Sequence, residues 1–243
     1  MKTNLKFGIT ERGDAARDLS WASKMDSVVG AILITKNIDN PEFQKLALQF
    51  KHKVIVHATI TGFGGTFIEP NVSSLEKTTE ALKVFSNEFP REQLVLRTDP
   101  IIPTADKFAE TVKVIEALKG LVPRLRFSFI DNYKHVKSRG LQLPWDTFHA
   151  PKEITAEIVK VLRQFEPVYK ISACGEPGWA APSEWLTGCL SVEDYEILGL
   201  EPPSNATKSM QRQFCRCLST KLELLTQKQR CKNGCLYCYW RKA

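Results

Sequence analysis

Short apolar, β-branched runs recur along the first 180 residues: KFGIT (6–10), VGAILIT (29–35), KVIVHATIT (53–61), QLVLRT (93–98), RLRFSFI (124–130) and PVYKISAC (167–174). Their apolar character on both faces suits strands of a parallel sheet buried on both sides. Between them apolar residues recur at helical spacing. Residues 152–166 align Ile154, Ile158, Val161, Leu162 and Phe165 on one face. Residues 74–89 align Leu75, Leu82, Phe85 and Phe89, with Ser73 and Glu76 as the expected capping box. Residues 106–119 carry Phe108, Val112, Ile115 and Leu118. Shorter helices are expected over 14–25 and 41–50, the latter with Pro41 in its first turn.

This alternation predicts an α/β fold built as a partial TIM-like barrel of about six β/α units, fewer than the eight that close a full barrel. Residues 1–198 form the expected partial barrel, and GLEPPSNATKS (199–209) the expected linker. Residues 199–243 then read as a Cys-rich basic segment packed on the same domain. In parallel α/β folds chemistry collects at the C-terminal ends of the strands. The polar residues there include Lys36, Thr61-Gly62, Arg97, Asp99, Asp131 and Glu176.

Composition changes this picture only at the end of the chain. At 243 residues the length suits one large domain, and no apolar run reaches membrane-spanning length. The start, MKTNLKFGITERGD, lacks the apolar core of a secretory signal, so a cytoplasmic protein is expected. All seven cysteines fall in the last 70 residues. In a reducing compartment such clustering points to metal rather than to disulfides. The net charge of +7 also lies there, with nine Lys/Arg against two acids in 201–243. That excess suits either a nucleic-acid or phosphate contact or compensation of anionic thiolates.

Cys231, Cys235 and Cys238 stand in CxxxCxxC spacing within RCKNGCLYCYW (230–240). Three converging thiolates suit an iron–sulfur cluster, or a zinc site completed by Cys215 or Cys217. Cys174, Cys189, Cys215 and Cys217 make a second set, for an auxiliary iron–sulfur cluster, a zinc site or buried thiols. His52, His57, His135 and His149 show no metal-ligand spacing.

CKNGCLYC resembles the cluster loop of radical S-adenosylmethionine (SAM) enzymes, and the YCY context is similar to spore photoproduct lyase. That loop usually follows the first strand, whereas here it comes last. A wider resemblance covers nearly the whole chain, to an uncharacterised bacterial and phage family with a radical-SAM-like cysteine cluster at its C-terminus. It is carried by ILITKN (32–37), ATITGFGGTFIEPNVSSLEK (58–77), VLRTDPII (95–102), SFIDNYK (128–134), ACGEPG (173–178), GCLSVED (188–194), CRC (215–217) and CKNGCLYCYW. Within ITERGDAARD, Arg12 and Asp14 fit.

The resemblance implies a 4Fe–4S cluster on Cys231, Cys235 and Cys238, with SAM beside Tyr237. It implies reduction of SAM to a 5′-deoxyadenosyl radical, then hydrogen abstraction from a small-molecule or nucleic-acid substrate. A flavodoxin- or ferredoxin-like electron donor is expected, and no membrane partner. On this reading the terminal segment folds back over the barrel mouth. Lys36 or Arg97 holds a carboxylate or anionic substrate, and Asp99, Asp131 and Glu176 hold a ribose, an ammonium or a substrate proton. Thr61, Gly62 and Gly64, with Gly65, line a ligand's approach or form a tight turn. The alternative class is a metal-stabilised nucleic-acid-binding or scaffold protein using the basic tail.

Overall fold

In a computed structural model of the chain, residues 6–204, 213–225 and 231–240 are described. The six expected strands are present as β1 (Phe7–Ile9), β2 (Gly30–Thr35), β3 (Val54–Thr59), β4 (Leu94–Ile101), β5 (Arg124–Phe129) and β6 (Lys170–Cys174). Two short strands join them, β7 (Leu186–Thr187) and β8 (Lys221–Glu223). The eight lie in the order β7-β6-β5-β4-β3-β2-β1-β8, every neighbouring pair parallel. The sheet is curled as a half-barrel with helices along its outside. Its last strand comes from the Cys-rich segment and pairs with β1, so part of that segment belongs to the sheet.

The helices follow the apolar spacing. They are α1 (Pro41–Gln49), α2 (Leu75–Ser86), α3 (Ala105–Ala117), the single turn α4 (Lys134–Lys137), α5 (Lys152–Arg163) and α6 (Val192–Ile197). Pro41 stands in the first turn of α1, and Asn40 caps it by accepting from the Glu42 and Phe43 N–H groups. Two local expectations differ. α2 is capped by Ser74, which accepts from Lys77 N–H, while the Ser73 hydroxyl donates to Asp39 at 2.7 Å. A capping box forms instead at α6, between Ser191 and Asp194. Residues 14–25 do not form an α-helix, and tight turns lead into a 3-10 helix over Leu19–Ser27. The cause is local: the Asp14 and Asp18 carboxylates accept from the Ala16 and Ser20 N–H groups, which favours turns over α-helix.

Side-chain alternation divides two cores. Outward residues such as Leu33, Val56, Leu96 and Phe127 pack with Phe43, Leu82, Val114 and Leu162 of the helices. Each such buried side chain contributes roughly 1.5–3 kcal/mol. Inward residues Phe7, Ile9, Ile32, Ile55 and Val95 form a separate cluster that includes Cys174, Cys189 and Cys217. By the same alternation His57 and Thr59 share the inner face with Ile55, and Arg97 shares it with Val95. Arg124 and Arg126, also buried, point away from the outer core that takes Leu125 and Phe127. The expectation of strands apolar on both faces is therefore corrected: both faces are buried, but the inner one is part polar. Arg124 is held by Asp194 at 2.8 Å, and Arg126 donates to Cys189 O at 2.8 Å. Among the described residues His57 has no hydrogen-bond partner on either ring nitrogen, and burial, then Arg126, holds its pKa well below the usual histidine value.

Candidate functional site

A cavity of about 500 Å³ opens at the C-terminal ends of the strands. All seven cysteines line it, together with Asp14, Lys36, Arg97, Asp99, Asp131 and Tyr237. No cysteine is in a disulfide. The volume falls in the range of cofactor and ligand sites.

One wall is the terminal segment. Its seat is the loop after β3: Leu236 N–H donates to Ile68 O at 3.0 Å, and Asn71 Nδ2 donates to Lys232 O at 2.8 Å. The Tyr237 hydroxyl donates to Glu69 Oε1, which also accepts from Thr61 at 2.7 Å and Lys36 Nζ at 3.0 Å. Burial works against the Lys36 ammonium, but Glu69 and then Cys235 hold its pKa above the ordinary lysine value. Lys36 Nζ also lies 5.3 Å from the centre of the Tyr237 ring. Burial, then the Glu69 carboxylate, pushes the Tyr237 phenol well above its usual range.

A second tie runs through Asp14. Its carboxylate accepts from Thr35 Oγ1 at 2.7 Å, Lys36 N–H at 2.8 Å, Asn37 Nδ2 at 3.0 Å and Asn233 Nδ2 at 2.9 Å. Asn233 Oδ1 in turn accepts from Asn37 at 2.9 Å and Arg17 at 3.2 Å. The ends of β1 and β2 thus grip the turn between Cys231 and Cys235.

Cys238 N–H closes a turn onto Cys235 O at 3.3 Å. Burial pushes the Cys231 thiol to about 11 and Cys235 to about 12, with Lys36 opposing in both. Among the described residues no group of three or more His, Cys, Asp or Glu side chains already forms a metal-ion ligand sphere. Thiolates on separate irons of a cluster stand farther apart than ligands around one ion. The donor set fits a cluster: three thiols from one short turn face one cavity, with the Lys36 cation beside Cys235.

The other wall carries Cys174, Cys189, Cys215 and Cys217 beside Arg97 and Lys221. Cys189 accepts from Arg97 Nη2 at 3.6 Å, and its pKa is drawn well down by sulfur contacts with Cys174 and Cys217. Arg97 is also paired with Asp99, which accepts from the Ser128 hydroxyl as well, and Pro100 follows in a cis peptide. Asp131 is bonded to His149 Nδ1 at 2.8 Å.

Lys36, Arg97, Asp99 and Asp131 thus line one cavity, each already oriented by a partner. Glu176 does not line it. Its Oε1 accepts from Phe129 N–H at 2.9 Å, pinning β5 to the turn after β6. Thr61, Gly62 and Gly64 also lie away from this cavity and shape the loop that seats the terminal segment. A side chain at Gly64 would fall 1.9 Å from Ser73 O, and Gly62 has φ of +91° against the Glu110 backbone. Asp14, Glu69 and Asn233, the residues that hold the cysteine turn, lie within stretches that carried the family resemblance but were not singled out as site residues. Their buried carboxylates and amide act through partners as far as 219 residues away in sequence.

Of the basic residues in 201–243, Lys208, Arg212, Lys228, Arg230, Arg241 and Lys242 lie outside the described residues, as do 205–209 of the linker. Of the others, Arg216 donates to Glu176 O at 3.1 Å and Lys221 to Glu11 at 3.0 Å. Among the described residues no helix is long and apolar enough to cross a membrane.

A parallel half-barrel with its polar cavity at the strand ends defines the class of protein. The chain belongs to the family described as Domain of unknown function (DUF1848), whose model matches residues 15–240, from the turn after β1 through the terminal cysteines. No curated protein matches the chain.

Proposed function

We propose that this chain is a radical SAM-type enzyme that carries its cluster loop at the C-terminal end of the sequence. One observation supports this most: Cys231, Cys235 and Cys238 line a cavity at the strand ends of a parallel half-barrel, anchored there by Asn233 and Tyr237. Cys231, Cys235 and Cys238 would hold a 4Fe–4S cluster, which would supply the electron for reductive cleavage of SAM.

The chain's own residues bind, orient and shield. The Asp14–Asn233 and Glu69–Tyr237 bonds hold the cysteine turn across the mouth as a lid over the strand ends. Lys36 compensates thiolate charge at Cys235, and its pairing with Glu69 keeps it fixed there. Arg97 presents a guanidinium to an anionic group while Asp99 and Ser128 orient it. Asp131, oriented by His149, is the carboxylate placed to take an ammonium, a hydroxyl or a proton. Tyr133, Tyr239 and Trp240 complete the wall of the cavity.

The test is anaerobic reconstitution with iron and sulfide, followed by reductant and SAM. Release of 5′-deoxyadenosine by the wild type, abolished in Cys235→Ala, is the expected result. Iron-replete protein that leaves SAM intact overturns the reading.

A further inference from the structure

Four cysteines on the far wall are not used by the terminal turn. Cys174 ends β6, Cys189 follows β7, and Cys215 and Cys217 precede β8. Cys174 Sγ lies 3.1 Å from Cys189 Sγ. Cys189 N–H donates to Cys217 Sγ at 3.1 Å. Cys174, Cys189 and Cys217 therefore lie in direct contact, and Cys215 lines the same wall of the cavity.

Their surroundings are not those of thiols used as small apolar fillers. Arg97 reaches Cys189 Sγ at 3.6 Å and 3.7 Å, and Lys221, paired with Glu11 at 3.0 Å, lines the same cavity. Two cations beside four thiols suit an anionic thiolate centre. The backbone is also shaped for the approach. A Cβ at Gly188 would lie 2.5 Å from both Cα and N of Cys217, so the two segments meet only because that position has no side chain. Leu218 N–H then donates to Leu190 O at 3.2 Å.

We propose that Cys174, Cys189, Cys215 and Cys217 form a second, tetrathiolate centre for a thiophilic metal, as a zinc ion or an iron–sulfur cluster. It fastens the segment after β7 to the segment before β8, at the two edges of the curled sheet. Tetrahedral zinc with bonds of about 2.3 Å sets its sulfurs roughly 3.8 Å apart. The 3.1 Å contact would open by a fraction of an ångström around zinc and by more around a cluster, whose thiolates stand farther apart; as they stand, no three or more such side chains among the described residues are placed to hold a metal ion. The centre does not depend on the terminal cysteines holding a cluster.

The experiment uses the full chain, expressed with iron and zinc supplied and purified without oxygen. Metal and sulfide are counted in the wild type, in Cys235→Ala/Cys238→Ala and in Cys189→Ser/Cys217→Ser. The terminal double variant is expected to keep about one zinc, or about four irons with matching sulfide, per chain. The second double variant is expected to lose that same complement, and zinc or iron with sulfide identifies the source. A Cys189→Ser/Cys217→Ser protein that holds as much metal as the wild type overturns the proposal. Should that variant fail to fold, the terminal double variant decides alone. Bound metal whose chelation lowers its thermal midpoint supports the centre, and folded protein without metal overturns it.

Discussion

The Tyr237 hydroxyl donates to Glu69, and Glu69 is at the same time paired with Lys36 at 3.0 Å. One buried carboxylate therefore joins the terminal cysteine turn, the loop after β3 and the end of β2. Glu69→Gln removes the counter-charge from a Lys36 side chain only 12% exposed and should cost about 3 kcal/mol. Tyr237→Phe removes one hydrogen bond and should cost about 1 kcal/mol. Urea unfolding measures both, and a Glu69→Gln midpoint equal to the wild type would contradict the role of the pair.

Asn233 joins the same turn to Asp14, Asn37 and Arg17. Asn233→Ala should release the terminal residues while leaving the sheet folded. Limited proteolysis should then cut the last dozen residues several-fold faster, with unchanged circular dichroism. Equal cleavage rates would place the anchor elsewhere.

Glu223 gives a pH dependence. Burial raises its pKa from 4.5 to about 7, although its carboxylate accepts from the Glu11, Arg12 and Leu225 N–H groups. The folded state holds the proton more tightly, so this stability is fully present below about pH 4.5 and is lost as pH rises through about 7. After allowance for solvent screening the loss amounts to about 2 kcal/mol. Glu223→Gln, which cannot titrate, should flatten the fall in unfolding free energy between about pH 5 and 8. Parallel pH profiles for the two proteins would rule out Glu223 as the source.

The loop after β3 separates close packing from backbone conformation. Gly64→Ala drives a methyl to 1.9 Å from Ser73 O and should cost about 3 kcal/mol. Gly65→Ala meets no atom within 4 Å but has φ of +78°, so about 1 kcal/mol is expected from the left-handed conformation alone. Thermal denaturation should rank Gly64→Ala well below Gly65→Ala, and the reverse order would show that the contact relaxes freely.

Runs such as ILIT and VIVHAT announce β2 and β3, and helical spacing announces α2, α3 and α5. β7 and β8 were not legible, because two and three half-buried or exposed residues form no pattern and exist only through pairing with β6 and β1. The inner polar face was hidden for a related reason. Arg97 and Arg126 sit inside apolar runs; Asp99 stands two residues from Arg97 on the same strand, while Cys189 O reaches Arg126 from a segment 63 residues away. Cysteine spacing and the polar residues after each strand pointed to the cavity, since both belong to local sequence. Asp14, Glu69 and Asn233 gain their part from bonds across the whole chain, which no local pattern records.

Electron paramagnetic resonance of anaerobic, iron-loaded and reduced protein, recorded with and without SAM, tests the central claim most directly. The account predicts a reduced-cluster signal that SAM perturbs, accompanied by 5′-deoxyadenosine, with both effects lost in Cys235→Ala. An iron-loaded wild type whose signal SAM leaves unchanged, or a Cys235→Ala protein that responds as the wild type does, would contradict it.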